Sequence, residues 1–302
     1  MPASVGTCAP YRTPAGPALT PHAPSGKLSR VWIILSIVTA FTNALWTALA
    51  KPVLQEIPPL RMMLQFRLVI AAVFLPAFLW HRELPRDVGF WLIVLSIGVL
   101  NGIRWVVIMH GVRQNYFSTY GMYNTAPLFT LLLAPAMLPE RFGPAVWLGV
   151  LAVIAGGIVF YHTSRLSLYG LVGAVLTAII NILSKRGVSQ MEPAAFLFLV
   201  AASAAVALTV AHLLTERGKI ERPAWGRELR RILPLALLCA VGAACFFYAI
   251  RLDTATRVTA VCRTNLVFGF LLSYLLLRER GQWQWKIAGT ALILLGTIAV
   301  AW

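Results

Sequence analysis

The sequence TAFTNAL at residues 39–45 returns 138 residues later as TAIINIL at residues 177–183, so that Thr-Ala-x-x-Asn-x-Leu occurs twice. A longer match joins TAPLFTLLLAPAMLPER at residues 125–141 to TNLVFGFLLSYLLLRER at residues 264–280, an offset of 139. Leucine matches are common in apolar sequence, but the Glu-Arg pair that ends both stretches is not. Because the two matches agree on one period, they predict that the chain contains two copies of one structural unit.

Two pairs of glycines support the same period. Gly149 and Gly156 recur as Gly289 and Gly296, at an offset of 140. Glycines seven residues apart lie on one face of a helix, where they allow a neighbouring helix to approach closely. Three separate stretches therefore agree on the repeat.

The composition places both copies in a membrane. Hydrophobic residues make up 59% of the 302 residues and charged residues 12%, whereas a soluble domain has roughly 45–50% apolar and about 25% charged residues. Ten apolar stretches are long enough to cross about 30 Å of hydrocarbon as helices. They are too long and too continuous for the alternating strands of a barrel. The predicted segments are residues 31–50, 60–80, 89–111, 118–138, 144–161, 168–187, 192–214, 232–251, 256–277 and 284–302.

Each copy holds five of these segments, and an odd number of crossings brings the second copy into the membrane from the opposite side. We therefore predict an all-α membrane protein with ten transmembrane helices as two inverted five-helix repeats, over residues 28–161 and 162–302. Residues 1–27, which contain six prolines among small and polar residues, are expected to form a disordered tail. Inverted repeats are common in secondary transporters, where the substrate site lies at the repeat interface.

In this order and spacing the chain resembles the drug/metabolite transporter superfamily, EamA type, over residues 31–302. The resemblance rests on Phe66-Arg67 in the second segment, on Pro127 with Glu140 after it, and on Gly149 and Gly156. The second copy departs from the pattern, because Leu266 stands where the first copy has Pro127.

The resemblance implies a secondary transporter of small organic metabolites that works by alternating access and exports its substrate. It also implies a multi-pass protein of the cell membrane, which in a bacterium is the inner membrane. Amino acids or related carboxylates are the first expectation for the substrate, and phosphorylated metabolites the second. A lipid-linked substrate, or a scaffold that transports nothing, remains an alternative.

Other function classes lack their sequence signatures. The net charge is +16, but the Lys and Arg residues are scattered in short loops without a basic stripe, so nucleic acid is not an expected partner. The four cysteines show no metal-site spacing. There is no G-x-x-x-x-G-K-[ST] loop and no nucleophile beside a base, so we expect neither an enzyme nor a cofactor. The expected partners are the lipid bilayer and a small-molecule substrate, and the oligomeric state is left open.

Three arginines lie inside predicted segments, where a charged side chain usually has a partner or a function. These are Arg67, Arg104 and Arg263, and all ten acidic residues lie in loops or near segment ends. We favour a structural role for Arg67 and leave a structural and a substrate-binding role equally open for the other two. A binding role would indicate an anionic or zwitterionic substrate.

Polar and aromatic side chains follow helical spacing in the first, third, fourth and sixth segments. Interhelical hydrogen bonding and interfacial anchoring are the structural alternatives to lining a cavity. Arg263, in the ninth segment, is expected to hold a carboxylate or phosphate, and Asn124, its equivalent in the first copy, to orient the neutral part of the ligand. The predicted substrate-binding residues are Arg263, Asn124, Arg104, Asn43, Trp46, Asn181, Tyr123 and Trp105.

Overall fold

The computed structural model describes residues 30–81, 84–114, 116–161, 167–216, 222–276 and 283–301. The predicted tail at residues 1–27 lies outside the described residues, as do Glu279 and Arg280, which end the second copy of the longer repeat. Within the described ranges the chain forms twelve α-helices. Their bounds are α1 Val31–Glu56, α2 Pro59–Trp80, α3 Val88–Gln114, α4 Tyr116–Tyr123, α5 Ala126–Met137, α6 Pro144–Tyr161, α7 Leu168–Val188, α8 Pro193–Glu216, α9 Arg222–Leu252, α10 Ala255–Cys262, α11 Asn265–Leu276 and α12 Trp283–Ala301.

These helices make ten membrane crossings. In the part of the chain that the structure describes, eight helices are each long and apolar enough to cross a bilayer: α1, α2, α3, α6, α7, α8, α9 and α12. The other four form two consecutive pairs, α4 with α5 and α10 with α11, and each pair is interrupted by only two residues. Each pair therefore forms one broken crossing. The count is five crossings in each half, which confirms the predicted fold class.

Packing between the two halves follows the repeat. Helix α1 packs against α9, and its equivalent α7 packs against α3, which is the equivalent of α9. In the same way, the contact of α1 with α11 in one direction corresponds to the contact of α7 with α5 in the other. Helix α2 packs against its own equivalent, α8. The pattern of helix contacts is the same when the two halves are exchanged, as expected for two halves related by a pseudo-two-fold axis. Since each half crosses an odd number of times, this axis lies in the membrane plane.

The four repeated glycines hold the last helices of the two halves together. A Cβ atom added at Gly149 would lie 2.7 Å from the carbonyl oxygen of Gly296, and one added at Gly156 would lie 2.7 Å from that of Gly289. A Cβ atom added at Gly289 or Gly296 in α12 would likewise lie 2.6 Å from the carbonyl oxygen of its partner glycine in α6. Contacts this short exclude any side chain, so the backbones of α6 and α12 touch directly.

The fourth and ninth crossings break at equivalent residues, which the continuous hydropathy of the sequence did not predict. The first break falls at Asn124 and Thr125, and the second at Arg263 and Thr264. In both, the threonine hydroxyl donates to the carbonyl three residues earlier, at 2.6 Å for Thr125 and 2.9 Å for Thr264. The second break forms without a proline in the next turn, so Pro127 is not required for this geometry.

Candidate functional site

A cavity of about 170 Å³ lies between the two halves. Its walls come from α1, α2, α3, α4 and α7 to α11, so residues of both repeats face one space. Seven of the eight predicted substrate-binding residues line it: Asn43, Trp46, Arg104, Trp105, Tyr123, Asn181 and Arg263. The eighth, Asn124, is buried next to the cavity and contacts Arg263 instead of lining the space.

Arg67 and Arg104 are joined through one amide oxygen. The Nη2 atom of Arg67 donates to Oδ1 of Asn101 at 3.1 Å, and Nη2 of Arg104 donates to the same oxygen at 2.7 Å. Asn101 lies one helical turn before Arg104 on α3, so the two side chains lie on the same face of that helix. A neutral oxygen that accepts from two guanidinium groups compensates neither charge. This pair of arginines therefore keeps its full positive charge beside the cavity.

The Arg104 side chain is also held by the second repeat. Its Nη1 atom donates to the hydroxyl of Thr177 at 3.4 Å, and the Thr177 hydroxyl in turn donates to the carbonyl of Gly173. The guanidinium carbon lies 4.9 Å from the ring centre of Trp105, a distance at which a cation is attracted to the ring face. The Nε atom of Arg104 is buried without a hydrogen-bond partner.

Arg263 stands at the second helix break, where it is the residue that follows and caps α10. Its Nη1 atom donates to Oδ1 of Asn124 at 3.4 Å, and its guanidinium carbon lies 4.9 Å from the ring centre of Tyr123. Its Nε atom is buried without a hydrogen-bond partner. Tyr123 also forms a side-chain hydrogen bond with Arg263, so the guanidinium is held by Asn124 and Tyr123 while its Nε atom keeps no partner. A guanidinium group has the fork geometry that binds a carboxylate or phosphate through two hydrogen bonds.

Carboxylates lie elsewhere in the described structure. Glu228 accepts from Arg61 at 3.2 Å and from Gln65 at 2.9 Å, while Asp253 lies 3.8 Å from Arg257. Glu56 pairs with Arg231. Among the described residues that line the cavity there is no Asp or Glu, although three arginines are present. The site therefore has a strong positive charge and no fixed negative charge to offset it.

The repeated polar faces of α1 and α7 both line the cavity. Asn43 accepts from Nε1 of Trp46 at 3.0 Å, and Asn181 donates to the hydroxyl of Thr259 at 2.9 Å. The hydroxyl of Ser184, fully buried one turn after Asn181, has no hydrogen-bond partner. These groups give the cavity neutral donors and acceptors on the walls that the arginines leave free.

The structure also shows where residues outside the predicted site lie. Arg67, which we favoured as a structural residue, lines the cavity beside Arg104. The sequence also left Asn101, Thr259 and Asn265 out of the expected site, and all three line it. A signal was present for Asn101, which lies three residues before Arg104 on the same helical face.

The comparisons with known proteins place this architecture in a family. The model of the EamA-like transporter family matches twice, over residues 30–161 and 165–302. The chain belongs to the EamA-like transporter family. One solved structure, titled only as the crystal structure of a protein, resembles this EamA-like transporter with a TM-score of 0.69 at 18% sequence identity, over 91% of this chain and 98% of the other. That likeness concerns the fold alone. The comparison with curated proteins gave no match.

Membership of the family settles two general expectations. The chain is a multi-pass membrane transporter and not an enzyme, as the sequence predicted. A transporter acts on a small-molecule substrate within a bilayer, and the cavity between the repeats is where such a substrate is expected to bind.

Proposed function

We propose that this EamA-like transporter moves small organic anions, carboxylates or phosphate esters, out of the cell by alternating access between its two halves. The observation that carries the proposal is the charge of the cavity: Arg67, Arg104 and Arg263 line it, and no described lining residue is acidic. An arginine inside a bilayer costs about 2.5–3.5 kcal/mol on insertion scales. Three arginines around one cavity are best explained by a ligand whose negative charge compensates theirs.

The cavity chemistry orders the substrate classes that the sequence left open. An amino acid carries an ammonium group as well as a carboxylate, and the described lining offers that ammonium neutral oxygens and aromatic rings but no carboxylate. A carboxylate or phosphate ester without an ammonium group avoids this mismatch. We therefore place organic anions before zwitterionic amino acids, which reverses the emphasis that the family resemblance alone suggests.

A scaffold that transports nothing would be expected to bury its polar faces against each other. The polar residues of α1 and α7 instead border a cavity, together with Arg263, whose Nε atom has no hydrogen-bond partner. This supports a transporter over a scaffold.

The test is uptake into liposomes that contain the purified transporter. A panel of carboxylates, phosphate esters, neutral amino acids and amines is offered at equal concentration, with protein-free liposomes as the control. We expect accumulation of members of the first two classes only. Uptake of amines, or no uptake of any anion by well-folded protein, would contradict the proposal.

A further inference from the structure

The three cavity arginines form one connected group. Arg67 and Arg104 share the Oδ1 atom of Asn101, at 3.1 and 2.7 Å. Tyr123 lies within electrostatic reach of both Arg104 and Arg263, and Arg263 stacks on its ring at 4.9 Å. The group therefore spans the cavity from α2 to the second helix break. Its formal charge is three, since an arginine guanidinium stays protonated in proteins.

Donors remain free at two separate points of this group. On Arg263 the Nε atom has no hydrogen-bond partner while Nη1 is held by Asn124. On Arg104 both terminal nitrogens already donate, to Thr177 and Asn101, and the Nε atom alone has no partner. Buried donors without an acceptor are costly, and these two belong to different helices. Both Nε atoms are enclosed, so a ligand meets these two arginines through the parts of their side chains that line the cavity, and a ligand with two negative charges can interact with both.

The charge balance leads to the same conclusion. A monoanion in the cavity leaves two of the three positive charges without compensation, whereas a dianion leaves one. Because the water-poor interior of a membrane protein strengthens interactions between charges, that difference of one charge acts strongly on affinity.

We infer that the substrate is a dianion. A dicarboxylate would place one carboxylate at Arg263 and the other at Arg104 and Arg67, whereas a phosphate monoester would present both charges to these arginines on one phosphoryl group. This inference rests on the proposed function and narrows its substrate class. The carbon skeleton then lies against the aromatic wall that Trp46 and Trp105 form, whose ring centres are 5.6 Å apart.

Pairs of probes that differ by one charge at nearly equal size test the inference. Succinate and its monoamide succinamate form the carboxylate pair, and glycerol phosphate and its methyl diester form the phosphate pair. Competition is measured against uptake of a radiolabelled anion in liposomes. In at least one pair we expect the dianion to bind about ten- to a hundredfold more tightly than its monoanion, the effect of one hydrogen-bonded charge. The pair that shows the larger ratio identifies the carboxylate or the phosphate as the preferred group.

A variant with one positive charge fewer in the cavity provides a second test of the dianion inference. In Arg104→Gln the cavity charge falls to two, so the ratio between dianion and monoanion is expected to shrink towards one while monoanion binding persists. If that protein does not fold, Arg67→Gln removes the neighbouring charge and is expected to act in the same direction.

The outcomes separate this inference from the proposed function. Equal binding of both members in both pairs, or a binding ratio that is unchanged in the folded variant, would contradict the dianion inference. The proposed transport of anions would still stand. Failure of all four probes, together with failure of the wider anion panel, would overturn the proposed function itself.

Discussion

Arg263 donates a hydrogen bond to Asn124, a residue 139 positions earlier that occupies the equivalent place in the other repeat. Each residue stands at the break of its crossing, so the hydrogen bond joins the two helix breaks across the pseudo-two-fold axis. The donor is charged and the acceptor neutral, and the 3.4 Å distance is long for such a bond. Asn124 therefore orients the guanidinium without neutralising it, which leaves Arg263 able to bind an anion.

Asn124→Asp tests this division of roles. The substitution places a carboxylate of nearly the same shape at the Arg263 guanidinium, and the resulting ion pair competes with an anionic substrate. We expect Asn124→Asp to weaken anion binding by at least about tenfold, the effect of a lost charge-assisted hydrogen bond. Substrate affinity is measured by competition in liposomes.

Asn124→Ala is the matched comparison, since it removes the amide without adding a charge. It is expected to weaken binding less than Asn124→Asp, because Arg263 loses only its orientation. Wild-type affinity in a folded Asn124→Asp protein would mean that Arg263 does not meet the substrate.

The contact between α6 and α12 predicts opposite outcomes for two adjacent glycines. A Cβ at Gly156 would lie 2.7 Å from the Gly289 carbonyl oxygen, whereas a Cβ at Gly157 would have its closest contact at 3.4 Å, with the Cβ atom of Asn124. Gly156→Ala must therefore push the two helices apart, and we expect it to lower stability by about 1–3 kcal/mol, as overpacking does. Thermal unfolding in detergent provides the measurement.

Gly157→Ala is the control, in the same helix and with the same chemical change. It is expected to leave the unfolding temperature nearly unchanged. Equal destabilisation by the two variants would mean that helix flexibility, and not the close contact, explains the effect.

The sequence predicted the larger features of this molecule because they recur or persist along the chain. The period of 138 to 140 residues identified the two halves, and continuous hydropathy identified the ten crossings. The same period related Asn124 to Arg263 before their contact was known. Helical spacing grouped Arg104 with Trp105, and Asn43 with Trp46, on the faces that line the cavity.

Other features depend on three-dimensional contacts that have no local signature. The helix breaks fall within apolar sequence, and a backbone that turns at Asn124 and Arg263 does not change the hydropathy of its surroundings. Arg67 resembles a structural arginine in its own segment, because Asn101, which connects it to Arg104, lies on another helix. Partner residues of this kind can be found from geometry but not from spacing along one segment.

Glu140, in the connection between α5 and α6, predicts a dependence of stability on pH. Burial raises the pKa of the Glu140 carboxyl above its ordinary value of 4.5, although the hydrogen bond from the Ala255 N–H and the charge of Lys185 act in the opposite direction. The unfolded protein ionises this carboxyl above about pH 4.5, and the folded protein does so only at higher pH. Stability conferred by the protonated group is therefore lost as the pH rises through the folded pKa.

Glu140→Gln keeps a neutral acceptor for the Ala255 N–H at every pH. We expect the unfolding temperature of the variant, relative to that of the wild type, to increase as the pH rises from about 4 to 8. Unfolding temperatures of the two proteins across this range are the measurement. A difference that stays constant, or that declines with pH, would show that the folded carboxyl ionises as readily as the unfolded one.

Anion uptake by Arg263→Ala, Arg263→Lys and Arg257→Ala proteins in liposomes tests the central claim most directly. Arg257 lies on α10, the short helix that immediately precedes Arg263, and faces Asp253 instead of the cavity, so Arg257→Ala is the matched control and is expected to transport normally. Arg263→Ala is expected to abolish uptake, and Arg263→Lys to weaken it, because a lysine cannot form the forked pair of hydrogen bonds. Undiminished anion uptake by a well-folded Arg263→Ala protein would contradict the account and leave Arg263 a structural residue at a helix break.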